Sequence, residues 1–104
     1  MFSIVIPLFN NAQTIERALK SVFNQTFKKF EIIIVDDGST DSGIEIINKF
    51  INYDQLKIIK QKKQGASIAR NNGIKISKYE YIAFLDADDE WESKYLETIY
   101  NAIK

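Results

Sequence analysis

Three carboxylates fall within four positions at Asp86-Ala87-Asp88-Asp89, directly after the apolar run Tyr81 to Leu85. Such a run reads as a buried strand. Bare carboxylates inside a sheet would each cost several kcal/mol of desolvation, so these acids belong where the strand leaves the sheet. Asp86 and Asp88 stand two apart and can turn toward one point. Hard oxygen donors so placed suit Mg²⁺ or Mn²⁺, with water and a substrate phosphate completing the shell. The plain alternative is a polar loop followed by a helix N-cap. A second acidic strand end, Val35-Asp36-Asp37-Gly38-Ser39-Thr40-Asp41, favours the chemical reading. Asp36-Asp37-Gly38 has the composition of a hairpin turn, but a helical pattern follows it rather than a second strand.

Further candidates lie between these two ends. Gln64-Gly65 with Ala69-Arg70-Asn71 puts an arginine in the first turns of a helix, and both the arginine and the helix N-terminus favour phosphate. Lys60, Lys62 and Lys63 read as a solvated loop. Trp91 reads as core or rim packing close to the acids.

Composition narrows the chemistry. The 104 residues make one small domain, 45% apolar, with Lys plus Arg equal to Asp plus Glu at 14 each. Nothing in that balance points to a nucleic-acid surface. With no cysteine and no histidine, disulfides, thiolate or imidazole metal sites, and Ser-His-Asp or Cys-His catalysis are excluded within these residues. Acid–base chemistry here falls to carboxylates, lysine or tyrosine.

The elements that must position these groups alternate. Ser3 to Ile6 is a β-branched run ended by Pro7, and Phe9-Asn10-Asn11 is its exit loop. Ile15, Ala18, Leu19, Val22 and Phe23 mark one helical face within Ala12 to Asn24. Phe30 to Val35 is a strand buried on both faces. Thr40 or Asp41 offers an N-cap to a helix carrying Ile44, Ile47 and Ile51, and Leu56 to Ile59 is a third strand. Gly65 opens a helix whose Ala66, Ala69, Gly73 and Ile76 let it lie close to a sheet. Tyr81 to Leu85 is the fourth strand, and Trp91, Tyr95, Leu96, Ile99 and Ile103 give a last helix its stripe. Four strand–helix alternations predict an α/β domain with a parallel sheet and right-handed crossovers. We expect the order 3-2-1-4, because ligands bind at the carboxyl ends of such strands and the exits of strands one, two and four must then meet. The first turn has no G-x-G-x-x-G, which argues against a dinucleotide cofactor.

Four motifs in order resemble the N-terminal, nucleotide-sugar-binding half of a family 2 glycosyltransferase with the Rossmann-like GT-A fold. They are Ser3-Ile4-Val5-Ile6-Pro7-Leu8-Phe9-Asn10, Val35 to Asp41, Gln64-Gly65 with Ala69-Arg70-Asn71-x-Gly73, and Phe84 to Asp89. The resemblance implies a nucleotide-diphosphate sugar donor, usually a UDP-sugar, and a divalent metal, Mn²⁺ or Mg²⁺. It implies that Pro7, Phe9 and Asp37 lie around the base and its ribose, with Asn10 and Arg70 in the substrate-binding set. Asp86 would contact ribose or metal-bound water, and Asp88 would ligate the metal. Asp36 belongs to the motif with a more structural role. The implied reaction is inverting transfer to an acceptor hydroxyl, glycan or lipid-linked, as in cell-surface polysaccharide synthesis. The alternatives are a non-catalytic nucleotide-binding module, a sugar nucleotidyltransferase and an aspartyl phosphotransferase.

The family's catalytic domain is about twice this long, so the chain reads as its donor half, with the catalytic base expected beyond Lys104. The acids here have donor-side roles, leaving Asp89 and Glu90 as weak candidates for that base. Self-association through Trp91, Tyr95 and Ile99 is a further expectation. No basic leader precedes the short run Met1 to Pro7, and no apolar stretch nears the roughly 20 residues of a membrane span, so the expected location is cytoplasmic. For the full-length protein this extends to the inner face of the membrane.

Overall fold

The computed structural model describes all 104 residues. The elements run β1 (Phe2–Leu8), α1 (Ile15–Phe23), β2 (Phe30–Asp36), α2 (Gly43–Ile47), a 3-10 turn (Asn48–Phe50), β3 (Leu56–Lys60), α3 (Ala66–Ile76), β4 (Tyr81–Phe84) and α4 (Tyr95–Ile103). The four strands form one parallel sheet in the order β3-β2-β1-β4, as the strand exits required. All seven residues of β2 are buried, which its unbroken isoleucine run foretold.

Alternation along each strand divides the interior into two cores. Ile4, Ile6 and Leu8 of β1, with Ile32 and Ile34 of β2, face a large core closed by Ile15, Leu19 and Val22 of α1, Ile47 of α2 and Leu96 of α4. Each such side chain contributes about 1.5–3 kcal/mol when fully buried, so this layer dominates the fold's stability. Val5, Ile33 and Val35 face the other way onto Ala69 of α3. That second layer is thin because α3 lies close to the sheet. A Cβ on Gly73 would sit 2.5 Å from Val5 Cγ1, so only glycine permits the observed approach.

The same alternation, continued past the strand ends, sorts the polar residues. Leu8, Asp36, Leu85 and Ala87 are buried, Leu8, Leu85 and Ala87 in the large core. Pro7, Phe9, Asp37, Asp86 and Asp88 have the opposite parity, and all five line one cavity with residues of α3, joined at its wall by Leu8 and Ala87.

Several element boundaries differ from the sequence expectations. α1 begins at Ile15, after a turn in which Thr14 N donates to Asn11 O. The second helix ends at Ile47 and narrows into the 3-10 turn, leaving Ile51 53% exposed rather than on a buried stripe. Asn48 and the neighbouring β-branched residues give that segment little helix propensity. Neither Thr40 nor Asp41 is the N-cap residue, which is Ser42. Asp41 instead accepts from Gly43 N and reaches across to Ala12 N, tying the β2 exit to the β1 exit. Trp91 precedes α4 rather than belonging to it and stacks on Tyr95 at 4.6 Å. At the sheet edge, Phe2, Tyr81, Phe84, Tyr95, Ile99 and Ile103 line an apolar cavity of about 350 Å³. No helix is long and apolar enough to cross a membrane.

Candidate functional site

The exits of β1, β2 and β4 meet the start of α3 around a cavity of about 340 Å³. Its walls carry Pro7, Phe9 and Asn11 from β1, Asp37 from β2, Lys63, Gly65 and Arg70 from the β3–α3 connection and α3, and Asp86 and Asp88 from β4. A larger hollow of about 610 Å³ lies between α1 and Glu90–Ser93, on the other side of the acid loop. We place the site in the smaller one, because the acid pair and the arginine converge there.

The β2 exit is an internal scaffold. Asp36 accepts from Ser39 N at 3.0 Å and stands on the parity opposite the cavity. Asp37 accepts at Oδ1 from Gln61 Nε2 and Gln64 N, both 2.8 Å, and at Oδ2 from Gly65 N at 3.1 Å. Burial alone would raise the Asp37 carboxyl. The Gln64 N–H, the Gln61 amide, the Gly65 N–H and the Lys63 charge together outweigh it and hold the group below its usual range. Gly65 can donate from this position because its φ of +102° and ψ of 161° lie where residues with a Cβ are strained. One carboxylate thus fixes the connection that carries Lys63 and opens α3.

The β1 exit is locked to β2 through Asn10. Its backbone is left-handed at φ 52°, a conformation asparagine tolerates. Asn10 N donates to Ser39 Oγ, and Asn10 Oδ1 accepts from Thr40 N at 2.8 Å. Of the expected substrate-binding residues, then, Pro7, Phe9, Asp37, Arg70 and Asp86 line the cavity together with Asp88, whereas Asn10 ties the β1 exit to the β2 exit and Asp36 shapes its own turn through Ser39 N. Asn11 takes the cavity position next to Phe9.

The β4 exit keeps its carboxylates free. Asp86 is 64% exposed at its side chain and meets the Arg70 guanidinium at 3.5 Å. The Asp88 carboxylate has no hydrogen-bond or ion-pair partner in the chain. Asp86 and Asp88 are two carboxylates on one wall and no group of three or more acids that could hold a metal forms, so a cation there would need phosphate and water as its remaining ligands.

Lys63, which the sequence pattern places in a solvated loop, lines the cavity. Its Nζ lies 3.5 Å from the centroid of the Phe9 ring. No linear pattern marks Lys63 apart from Lys60 and Lys62. What selects it is the anchoring of the neighbouring Gln64 and Gly65 on Asp37.

A parallel α/β sheet whose acidic exits gather around one cavity with an arginine has the organisation of the GT-A glycosyltransferases. The crystal structure of S. aureus TarS 1-349 matches with a TM-score of 0.92 at 31% identity, over 98% of this chain and 32% of that one. TarS 1-349 in complex with UDP-GlcNAc matches equally, at 0.92 and 31%, over 98% of this chain and 30% of that one. In sequence, the glycosyl transferase family 2 model matches residues 3–104, and the chain belongs to that family. A cholesterol galactosyltransferase of Borreliella burgdorferi is 43% identical over 98% of this chain and 29% of its own length. The poly(ribitol-phosphate) beta-N-acetylglucosaminyltransferase TarP of Staphylococcus aureus is 42% identical over 95% of this chain and 32% of its own. The chain therefore spans about a third of the length of the curated relatives it matches.

Proposed function

We propose that this domain binds a nucleotide-diphosphate sugar, a UDP-sugar in the first instance, together with a divalent cation, Mn²⁺ or Mg²⁺. In the whole protein it would serve inverting transfer of the sugar to an acceptor hydroxyl. The observation that carries this reading is the meeting of Asp86, Asp88 and Arg70 with Pro7 and Phe9 around a single cavity. The UDP-GlcNAc complex of TarS, a relative at 31% identity, supports the choice of nucleotide.

Each wall has a task. Phe9 offers a ring face to the nucleobase once Lys63 moves aside. Asp37 has about four lone-pair sites, three of them taken by internal donors, which leaves one on Oδ2 for the nucleoside. Arg70 pairs with Asp86 in the ligand-free state and is freed for a phosphate when a cation takes its place beside the acid. Asp88, helped by Asp86, would hold the cation. When bound, that cation supplies Lewis-acid stabilisation of charge on the departing diphosphate. The acids lining the cavity all have donor-side roles, so we assign the acceptor base to a residue outside these loops.

Titration calorimetry of UDP into the purified protein tests the reading. UDP is expected to bind with a Kd below about 1 mM, an ordinary value for an open site, and more tightly with Mn²⁺ than with a chelator. Absence of UDP binding in the presence of Mn²⁺ would overturn it.

A further inference from the structure

Helix α1 carries two stripes. Ile15, Ala18, Leu19 and Val22 face the large core. Thr14, Arg17 and Ser21 stand at spacings of three and four, the interval that stacks side chains along one helical face, and Gln25 follows just past the helix end. All of this second stripe is bonded to the segment that follows β4. Thr14 Oγ1 donates to Ala87 O at 2.8 Å and Arg17 Nη2 to Asp88 O at 2.9 Å. Ser21 Oγ accepts from Trp91 N at 3.1 Å. The buried Gln25 side chain donates to Glu92 O and accepts from Leu96 N. The acid loop is thus pinned by its backbone from the α1 side while Asp86 and Asp88 line the cavity.

Ser21 and Gln25 are buried, and removing either would disturb packing. Arg17 is different. Its side chain is 54% exposed, it does not line the cavity, and its ion pair with Glu90 is long at 3.8 Å. Such an exposed pair contributes little. Its shorter contact is the charge-assisted bond to the carbonyl of the residue whose carboxylate would hold the cation. We propose that Arg17 is a positioning residue for the acid pair. By holding the Asp88 carbonyl, it keeps the Asp88 carboxylate turned into the cavity, so that the cation-dependent part of nucleotide binding depends on a side chain that touches no ligand. The binding consequence rests on the donor-and-cation reading above; the loop consequence does not.

The test compares wild type with Arg17→Met, Arg17→Lys and Glu90→Gln by two measurements. The first is amide hydrogen exchange without nucleotide or metal. Arg17→Met should speed exchange at Ala87 to Glu90 by about tenfold, the scale of one charge-assisted bond, while Ile32 to Ile34 keep their protection. The second is UDP calorimetry with Mn²⁺ or a chelator. Arg17→Met should leave metal-free UDP affinity within about twofold and remove most of the Mn²⁺-dependent gain. Arg17→Lys, which keeps one donor, should fall between, and Glu90→Gln should match wild type in both. Unchanged exchange in Arg17→Met overturns the proposal. So does faster exchange with the Mn²⁺ gain intact, which would leave Arg17 a merely structural tie. An equal effect of Glu90→Gln would move the role to the ion pair and overturn it as well. If wild type itself shows no Mn²⁺ gain, the donor-and-cation reading fails. The positioning role toward a cation then falls with it, and the exchange data still decide whether Arg17 holds the loop.

Discussion

At the exit of β2, Asp36 and Asp37 are 5% and 3% exposed; Ser39 N is bonded to Asp36, and the Gln61 amide, Gln64 N and Gly65 N to Asp37. At the exit of β4, Asp86 is largely exposed with one loose cationic partner, and Asp88 has backbone ties only. Both segments are Asp-rich turns at the carboxyl edge of one parallel sheet. Their difference lies in which atoms the protein satisfies. Around β2 the carboxylates are bonded mainly within the chain and organise the loops. Around β4 the backbone is satisfied, by α1, and the carboxylates are left over. A group that binds a ligand needs an acceptor site left over: Asp37 keeps one at Oδ2, whereas the Asp88 carboxylate keeps all of its own.

The largest effect on stability is expected on the β2 side. Asp37→Ala would leave Gln64 N and Gly65 N without their acceptor and release the connection that carries Lys63. A loss of about 3 kcal/mol is expected from stranding buried donors of a charged acceptor, measured as a lower urea midpoint. A change below about 0.5 kcal/mol, the scale of an ordinary surface substitution, would break the comparison.

Acid should act through the same side. The folded-state carboxyl of Asp37 lies below its ordinary 3.8, with burial opposing and the Gln64, Gln61 and Gly65 donors prevailing. Glu31, on the α3 face near the start of β2, lies below its ordinary 4.5. There burial again opposes, and the Ser3 hydroxyl, the Lys78 N–H and Lys57 prevail. Depressed folded-state values mean stability that is present above the unfolded-state values and lost as pH falls through the folded-state ones. Urea midpoints should therefore hold from neutral pH to about 4.5 and fall below about 4. Asp37→Asn should flatten part of that fall, and an unaltered slope would show that Asp37 is not the titrating group.

Much of this was legible in the chain. Alternation and β-branched runs gave four strands and their order, since Asp36–Asp37 and Asp86–Asp88 close apolar runs; Glu31, the acid near the start of β2, is buried because Ser3, the Lys78 N–H and Lys57 hold it. Small residues at Ala69 and Gly73 foretold the close approach of α3. Strand parity, extended past the strand ends, also separates Asp36 from Asp37 and Leu85 and Ala87 from Asp86 and Asp88. Asp36 accordingly has the more structural place that the motif implies, bonded to Ser39 N. Other features depend on contacts that no local pattern encodes. Lys63 enters the site only because Asp37 binds Gln64 and Gly65, 27 and 28 residues away. The polar stripe of α1 is hidden among ordinary surface residues until the loop after β4 lies against it. Trp91 satisfied a helical spacing, yet its N–H is bonded to Ser21 and the helix starts four residues later.

The smallest effect on stability and the sharpest effect on binding should coincide at Asp88. The deciding measurement is UDP calorimetry with Mn²⁺ and with a chelator, on wild type and Asp88→Asn, with unfolding midpoints taken on the same samples. Asp88→Asn should fold with a stability within about 0.5 kcal/mol of wild type, as a surface substitution does, and bind UDP equally with and without Mn²⁺. Wild type should bind more tightly with Mn²⁺. An equal Mn²⁺-dependent gain in wild type and Asp88→Asn would contradict the assignment of the free carboxylates at the β4 exit to the cation.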